Sequence, residues 1–215
     1  MTKVTAIICG YNEAPQIGHV IRILVSYPRF SEIIVVDDGS TDGTSWVAAG
    51  YPVRVIRHPF NCGKGRAMLT GARATDAEVL FFCDADVRGL DNSVIDDLVG
   101  PVLNGQTEMM IAQRANALYS VPGVLRIAPR LGGVRAVGRK LWNRVPRFYK
   151  RRFMIEAALN HFARLGGGYD FRIVPALSQT VKERKYGLVK GTIARLRMIL
   201  EVAYTYVQLR LRDYR

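Results

Sequence analysis

Five short apolar runs alternate with helical patterns over the first 110 residues of the 215-residue chain. The runs are nearly continuous in apolar residues, which is typical of strands buried on both faces of a parallel sheet. Between the first two runs, apolar residues recur at helical spacing, as in Ile17, Val20, Ile21 and Leu24. The pattern therefore predicts the α/β class, with a mostly parallel sheet flanked by helices. The predicted strands are residues 4–9, 32–36, 53–56, 78–83 and 109–112.

The rest of the chain is less regular, because glycine and proline interrupt residues 115–152. Beyond that segment the pattern predicts one more strand, over residues 169–177. The predicted long helices are residues 14–27, 64–74, 90–103, 152–165 and 192–212.

Two local predictions concern the short elements. Thr41 or Asp42 is expected to cap a short helix that extends through Trp46. Trp46 and Trp142 are both interpreted as packing residues, since large aromatic side chains usually contribute to a core.

Charge divides the chain near residue 110. Residues 1–110 contain 9 Lys/Arg and 13 Asp/Glu, whereas residues 111–215 contain 22 and 5. An acidic half suits a cation, and a basic half suits the phosphates of a nucleotide, a nucleic acid or an anionic membrane. A nucleic-acid-binding protein would explain the net charge of +13 but not the acidic residues at the strand ends. No nucleic-acid partner is therefore predicted, and that class is kept only as an alternative.

Cysteine usage and hydropathy bear on location. The three cysteines form no Cys-x-x-Cys pair, which suits reduced thiols in the cytoplasm. The sequence has neither a secretory signal nor an apolar stretch of about 20 residues, so no bilayer-spanning helix is predicted.

Ligands of open α/β sheets bind at the carboxyl ends of the strands. The first such loop holds Gly10, Tyr11 and Glu13, where the tyrosine can stack on a base and the carboxylate can bind a ribose. The second begins with Asp37 and Asp38, and two adjacent carboxylates at a buried strand end need a ligand, hydrogen bonds or a countercharge. The alternative for this second loop is an Asx turn with a helix cap.

The triplet Asp84, Ala85 and Asp86 follows the apolar run of residues 79–83. Residues two apart in a strand point the same way, so both carboxylates can meet one hard cation. Mg²⁺ or Mn²⁺ often binds one or two carboxylates together with substrate phosphates. The triplet therefore predicts a divalent metal site at Asp84 and Asp86 that neutralises the charge of a nucleoside diphosphate leaving group.

Basic residues that can reach such a diphosphate occur at four places. Lys64 lies in a glycine-rich segment, residues 61–67, which lacks the spacing of a phosphate-binding P-loop. Arg114 follows the fifth predicted strand, and Arg184 and Lys190 flank a basic loop that can clamp phosphates. The alternative for Arg184 and Lys190 is a solvated or lipid-facing surface.

Glu156 is the lone carboxylate at the start of a basic, apolar helix. It is a candidate general base, with ion pairing to nearby arginines as the alternative.

The ordered motifs Tyr-Asn-Glu, Asp-Asp-Gly-Ser, Asn-Cys-Gly-Lys-Gly and Asp-Ala-Asp resemble the inverting glycosyltransferases of family 2, which have the GT-A fold. The resemblance covers residues 3–115 strongly and residues 130–190 less strongly, and it implies a nucleotide-sugar donor, a divalent cation and inversion at the anomeric carbon. Within the family, the chain is similar to dolichol- and polyprenyl-phosphate sugar synthases, so a UDP- or GDP-linked donor and a lipid-phosphate or other acceptor are expected.

The resemblance also assigns residues. It implies that Tyr11, Glu13 and Asp38 hold the nucleoside and that Asp86 is the principal metal ligand. On this basis residues 1–115 form the donor-binding half, residues 116–190 the acceptor-binding half, and residues 191–215 a basic amphipathic helix.

The C-terminal helix carries two apolar stripes separated by arginines. Two stripes predict two contacts, one with the core and one with an anionic membrane surface or a second subunit. Three alternatives to the sugar transferase stay open here: a sugar-1-phosphate nucleotidyltransferase, a nucleic-acid-binding protein, and a nucleotide-sugar-binding or membrane-surface module without turnover.

Overall fold

The computed structural model describes residues 2–115, 132–178 and 188–211. Its strands are β1 (Val4–Gly10), β2 (Glu32–Asp37), β3 (Arg54–Arg57), β4 (Val79–Asp84), β5 (Met109–Arg114), β6 (Val134–Gly138) and β7 (Asp170–Val174). Its helices are α1 (Ala14–Ser26), α2 (Thr44–Ala49), α3 (Lys64–Arg73), α4 (Asn92–Leu103), α5 (Arg139–Arg144), α6 (Met154–Arg164) and α7 (Leu188–Leu211). A 3-10 turn, Arg147–Tyr149, lies between α5 and α6.

The strands form one mixed sheet in the order β3-β2-β1-β4-β6-β5-β7. Every neighbouring pair is parallel except the two pairs that β6 makes, with β4 and with β5. The fold class predicted from the sequence is therefore confirmed. Because β6 runs against both of its neighbours, β5 runs parallel to β4, and the carboxyl ends of β1, β2, β4 and β5 lie along one edge, here called the carboxyl edge.

Two apolar layers cover the sheet. One packs α1 and α4 against side chains such as Ile8, Val35 and Phe81. The other packs α3, α5 and α6 against side chains such as Ile7 and Phe82. Successive strand residues point to opposite faces, so a strand covered on both sides must be apolar throughout, which is why the sequence pattern is continuous rather than alternating.

The sequence pattern missed β6 and α5. β6 is only five residues long and carries a charged residue, Arg135, that is nevertheless buried. A five-residue strand whose second residue is charged has neither the length nor the apolar run by which strands are found in a sequence.

The predictions for the short helix hold only in part. The helix α2 starts at Thr44 after Gly43, one residue later than predicted, but the Asp42 carboxylate accepts from the Thr44 N–H over 2.9 Å. The side chain of Trp46 is 83% exposed, so it is no packing residue, whereas Trp142 is buried as predicted. With only six residues, α2 buries just Thr44 and Ala48, and Trp46 projects from its open side.

The two stripes of α7 have different surroundings. Val202 and Leu209 are buried, and α7 packs on α6. The other stripe is open to solvent, with large apolar side chains exposed at Ile193, Leu196, Leu200, Val207 and Leu211. Among the residues described, no helix is both long and apolar enough to cross a bilayer.

Candidate active site

Strand β1 lies between β2 and β4, and this arrangement brings the predicted acidic loops together. Cys9 pairs with Val36 on one side and with Asp84 on the other. Adjacent strands lie about 4.8 Å apart, so the loops after β2 and β4 flank the end of β1 at a span of about 10 Å.

Cys9 gives an electrostatic measure of this convergence. Burial raises the pKa of its thiol, and the nearby charges of Asp84 and Asp38 raise that pKa further, while Lys64 lowers it. The carboxylates of two separate loops therefore act on the same thiol. The expectation that Asp38 and Asp84 converge at one edge of the sheet is met.

The loop after β1 is held by the loop after β2. The backbone N–H of Asn12 donates to the hydroxyl of Ser40 over 2.9 Å, and that of Glu13 donates to the hydroxyl of Thr44 over 2.8 Å. Asn12 has a φ of 54°, in the left-handed region that asparagine tolerates better than most residues. The polar residues that follow Asp38 thus fix the backbone that carries Tyr11 and Glu13.

The contacts of Asp37 are those expected of an Asx turn, which was the alternative interpretation of the loop after β2. Its carboxylate is buried and accepts hydrogen bonds from the Ser40 N–H, over 2.9 Å, and from the Ser45 hydroxyl. Arg57 lies 3.6 Å away and supplies a countercharge. These contacts explain how a carboxylate is buried there, and a donor contact by Asp37 stays a prediction.

Asp38 links the second loop to the glycine-rich segment. Its Oδ1 lies 2.7 Å from His58 Nδ1 and accepts from the Cys62 N–H over 2.9 Å, and its Oδ2 accepts from the Gly63 N–H over 2.7 Å. The ligand-type atoms of Asp38, His58 and Cys62 lie within 4.8 Å of one another. The hydrogen bonds already account for this proximity, so the cluster is read as a clamp on the glycine-rich segment.

The glycine-rich segment packs directly on a backbone from the second half of the chain. A Cβ at Gly65 would lie 2.6 Å from backbone atoms of Arg151, and the Gly65 N–H donates to the Arg152 carbonyl over 3.0 Å. No side chain fits in that space, so glycine at this position is required by close approach. The contact seats Lys64 at the start of α3.

Lys64 lies between two carboxylates. Its Nζ is 2.7 Å from Asp84 Oδ1 and 2.6 Å from Glu156 Oε1, and the three side chains are 16%, 22% and 9% exposed. Burial acts to lower the pKa of Lys64, but Asp84 and Glu156 outweigh it, and the net shift is upward. Lys64 is therefore held as an ammonium ion at the carboxyl edge.

Arg135 is a member of this network that sequence reasoning missed. It is fully buried in β6, and its Nη2 lies 3.8 Å from Glu156 Oε2. Its Nε and Nη2 also donate to the Gly132 carbonyl, over 3.1 and 2.8 Å. The one available signal was an arginine inside an otherwise apolar pentapeptide, residues 134–138.

The Asp-Ala-Asp triplet presents oxygen ligands at the carboxyl edge. Asp84 is the last residue of β4, Ala85 is buried, and Asp86 is partly exposed. Carboxylate oxygens that remain open to solvent suit the hard cations Mg²⁺ and Mn²⁺. The residues therefore fit a divalent metal, with the ammonium of Lys64 already opposite one oxygen of Asp84.

Other predicted site residues lie at the same edge or outside the described chain. Gly10 ends β1, and Tyr11 follows it directly. Arg114 ends β5, about 10 Å along the sheet from β4 because only β6 lies between them. Arg184 lies outside the described residues, as does the side chain of Lys190, whose backbone belongs to the first turn of α7.

Comparison with known proteins agrees with the family resemblance of the sequence motifs. The family model described as Glycosyl transferase family 2 matches residues 5–166. The protein MJ1222 of Methanocaldococcus jannaschii is 33% identical over 131 residues, which are 58% of this chain and 53% of that protein. Dolichyl-phosphate beta-glucosyltransferase ALG5C of Trichomonas vaginalis is 33% identical over 96 residues, which are 38% of this chain and 28% of that protein. The chain thus spans about half, or less, of the length of these curated relatives.

Among solved structures, glucosyl-3-phosphoglycerate synthase of Mycobacterium tuberculosis, in complex with phosphoglyceric acid, superposes with a TM-score of 0.78. The identity is 23%, and the match covers 97% of this chain and 80% of that one. A further structure of that synthase contains Mn²⁺, UDP-glucose and phosphoglyceric acid. At this identity the likeness concerns the fold, and it confirms the GT-A fold expected from the sequence.

Proposed function

The chain belongs to glycosyl transferase family 2, and from that premise we propose that it transfers a sugar, with inversion, from a nucleotide-sugar donor to an acceptor. The observation that carries the proposal is the convergence of Asp84, Lys64 and Asp38 around the end of β1. A nucleic-acid-binding surface has no need of carboxylates gathered in this way, since its partner is itself anionic.

The proposed donor contacts lie along the carboxyl edge. Tyr11 and Glu13, on the loop fixed by Ser40 and Thr44, hold the nucleoside. Asp38 supports the same part of the carboxyl edge, because its carboxylate accepts hydrogen bonds from the backbone of the glycine-rich segment. Arg114 faces the diphosphate from β5, and Arg184 and Lys190 complete the proposed set from the C-terminal side.

Asp84 and Asp86 would hold the divalent cation, which when bound supplies positive charge to the diphosphate oxygens. The solved synthase that shares the fold contains Mn²⁺ with UDP-glucose, which supports this part of the proposal. Lys64 contributes a permanent positive charge at the same place, because its ammonium is fixed by two carboxylates.

In the proposed reaction the acceptor oxygen attacks the anomeric carbon from the face opposite the nucleotide. The bond from that carbon to the diphosphate breaks, and the nucleoside diphosphate leaves with the electron pair. The ammonium of Lys64 and the guanidinium of Arg114 stabilise the charge that develops on the leaving oxygens.

The fate of the acceptor proton depends on the acceptor. A hydroxyl acceptor must lose a proton, and Glu156 is the proposed base, for which Oε1 must exchange its hydrogen bond with Lys64 for one with the acceptor. A phosphate acceptor is already anionic and needs no base. Glu156→Gln is therefore expected to reduce transfer to a hydroxyl acceptor much more than transfer to a lipid phosphate, and equal small losses on both would contradict the base role.

Titration calorimetry with UDP- and GDP-sugars, with and without Mn²⁺, tests the donor site. We expect metal-dependent binding that is lost in Asp86→Ala, while Asp91→Ala, which removes a carboxylate that caps α4, leaves binding intact. The absence of nucleotide-sugar binding would refute the proposal and favour a membrane-surface module without turnover. A donor-hydrolysis screen with added membrane lipid extract then identifies the sugar and the acceptor class.

We further propose that the exposed stripe of α7 rests on an anionic membrane. Residues 111–215 carry 22 basic and 5 acidic residues, and the exposed stripe is apolar. An apolar stripe in a basic segment matches an anionic lipid surface in both hydrophobicity and charge. Such a location suits a lipid-phosphate acceptor, and three free thiols at Cys9, Cys62 and Cys83 suit the cytoplasmic face.

Vesicle sedimentation tests this contact. Binding to phosphatidylglycerol vesicles is expected to exceed binding to phosphatidylcholine vesicles, to weaken with salt, and to be lost in Leu200→Glu. The matched control is Val25→Glu, which places the same charge at an exposed apolar position of α1. If the protein instead forms a dimer that does not bind vesicles and that Leu200→Glu dissociates, the exposed stripe contacts a second copy of the chain and not a membrane.

A further inference from the structure

A cavity of about 400 Å³ lies between the C-terminal half of α3 and the segment that runs from α5 to Lys150. It is separate from the carboxyl edge. Helix α3 begins at Lys64, in the candidate active site, and ends at Arg73, on the wall of this cavity. Nine residues at a rise of 1.5 Å place the two ends about 13 Å apart.

Among the residues that the structure describes, the cavity is lined by four cationic side chains and no carboxylate, the cations being Arg73, Arg139, Arg147 and Lys150. None of the four forms an ion pair with any residue that the structure describes. Asp76, whose charge acts on Arg139, is itself paired with Lys3 over 2.9 Å. The cavity is therefore strongly positive and lacks an internal countercharge.

Lys150 is the most unusual of these side chains. It is only 7% exposed, and within the described chain its ammonium has neither a hydrogen bond nor an ion pair. Its Nζ lies 4.7 Å from the centroid of the Trp142 ring, which gives partial compensation. Burial, with Arg73 and Arg139 adding to it, lowers the pKa of Lys150 to about 8.

Such a lysine costs folding stability, because a cation that is largely withdrawn from water without a partner charge loses part of its hydration.

The arginines of the cavity divide into a fixed one and two movable ones. Arg139 donates to three backbone carbonyls, those of Ala72, Thr75 and Ala77, over 2.7 to 3.0 Å. It therefore covers the C-terminal end of α3 and has few donors left for a ligand. Arg73 and Arg147 are exposed, so both can turn towards a ligand without breaking an ion pair with a described residue.

We propose that this cavity binds the phosphate group of a small phosphorylated molecule. Lys150 receives the phosphate at the buried end, and Arg73 and Arg147 close on it from the solvent side, as guanidinium groups do with phosphate oxygens. The volume is in the range of small-molecule sites and exceeds what one phosphate needs. Thr75 and Asn143 also line the cavity, and they offer neutral hydrogen-bonding groups to the rest of the molecule.

Calorimetry with inorganic phosphate, at a saturating concentration of UDP and Mn²⁺, tests the site. We expect binding at one site, with an affinity reduced roughly tenfold to a hundredfold in Lys150→Met, as the loss of one charge-assisted contact predicts. UDP binding should be unchanged in this variant. Competition between phosphate and UDP for a single site would overturn the proposal, as would unaltered phosphate binding in Lys150→Met.

The thermal midpoint of the same variant separates a ligand site from a structural role. If Lys150 serves a ligand, Lys150→Met unfolds at the same temperature or higher, because a buried charge is gone. A lower midpoint together with unchanged phosphate affinity would show that Lys150 stabilises the fold through its contact with Trp142. That result would refute the proposal.

A second pair of variants tests the site at exposed positions, so that the result does not depend on a substitution at a buried residue. Arg147→Gln, at the exposed mouth of the cavity, should weaken phosphate binding severalfold. Lys140→Gln makes the same charge change at an exposed position of α5 that does not line the cavity, and it should have no effect. If both variants weaken phosphate binding equally, the effect is one of net charge alone, and the proposed binding site is contradicted.

The same phosphate chemistry could come from a lipid headgroup, and vesicles distinguish the sources. Saturable binding of free phosphate, with vesicle binding unaffected by Lys150→Met, supports a phosphorylated metabolite. Vesicle binding that falls in Lys150→Met supports a headgroup in the same cavity. Failure of both phosphate and phosphatidylglycerol vesicles to respond to the variants overturns the site, whether or not the sugar transfer proposed above is correct.

Discussion

Replacement of Lys64 by methionine tests the central electrostatic feature of the site. The ammonium is the partner of Asp84 at 2.7 Å and of Glu156 at 2.6 Å, and all three side chains are largely buried. Removal of one partner from a buried ion pair usually costs about 3–5 kcal/mol, because a buried charge is left uncompensated. Here Asp84 and Glu156 both lose this partner, while Glu156 keeps Arg135 at 3.8 Å, so a loss within that range is expected.

Urea unfolding, followed by fluorescence at neutral pH, measures this cost as a lower transition midpoint at unchanged slope. The matched control is Lys3→Met, which breaks a lysine–aspartate pair of similar length, 2.9 Å, whose side chains are 58% and 78% exposed. Exposed pairs are screened by water and contribute little, so the control should unfold almost as the wild type does.

A double variant identifies the cause. Addition of Glu156→Gln to Lys64→Met should recover part of the loss, since one of the two charges disappears. A loss below about 1 kcal/mol, or a loss equal to that of Lys3→Met, would refute the view that Lys64 is the required countercharge of the site.

Three further predictions concern other parts of the molecule. Gly65→Ala should cost about 1–3 kcal/mol and weaken nucleotide binding, because its Cβ would lie 2.6 Å from the Arg151 backbone. Gly100→Ala should cost less, because the new Cβ would meet no other part of the fold within 4 Å and only the following Pro101 opposes it; the opposite order in urea unfolding would contradict the packing. Leu209→Ala, at the buried stripe of α7, should cost about 2–5 kcal/mol, whereas Leu211→Ala on the open stripe should change the unfolding free energy by less than about 0.5 kcal/mol. Lys150 has a folded pKa of about 8 against an ordinary value of 10.5, so the unfolded chain binds the proton more tightly; stability should therefore rise from about pH 8 to pH 10.5, and Lys150→Met should remove this rise.

The sheet was predictable from the sequence because its strands are buried on both faces. β1, β2 and β4 are continuous apolar runs, and each ends in a polar loop whose position at the carboxyl edge follows from parallel topology. The order of the strands did not follow from the pattern, since β6 is short, antiparallel and carries Arg135. The pairing of β6 requires that Arg135 be buried, whereas a hydropathy pattern predicts that an arginine is exposed.

The candidate site was predictable in its membership and less so in its contacts. Asp38, Lys64, Asp84 and Glu156 were all singled out, but the sequence gives no sign that one ammonium joins Asp84 to Glu156 across 92 residues. Such a contact needs α3 and α6 to lie side by side on one face of the sheet. That arrangement is a consequence of tertiary packing, which local patterns do not encode.

Arg151 and Arg152 touch the glycine-rich segment through their backbones and not through their charged groups. The side chain of Arg151 is therefore open to change, whereas Arg152, with a φ of 37°, also pairs with Glu201 over 3.1 Å. The number of residues between Tyr149 and Met154 is fixed as well. Inserting or deleting one residue in this short stretch would shift the backbone that contacts Gly65 and carry Lys64 away from both of its carboxylates. In laboratory evolution of this chain, point substitutions at position 151 should survive in many forms, and length variants of the stretch should be lost.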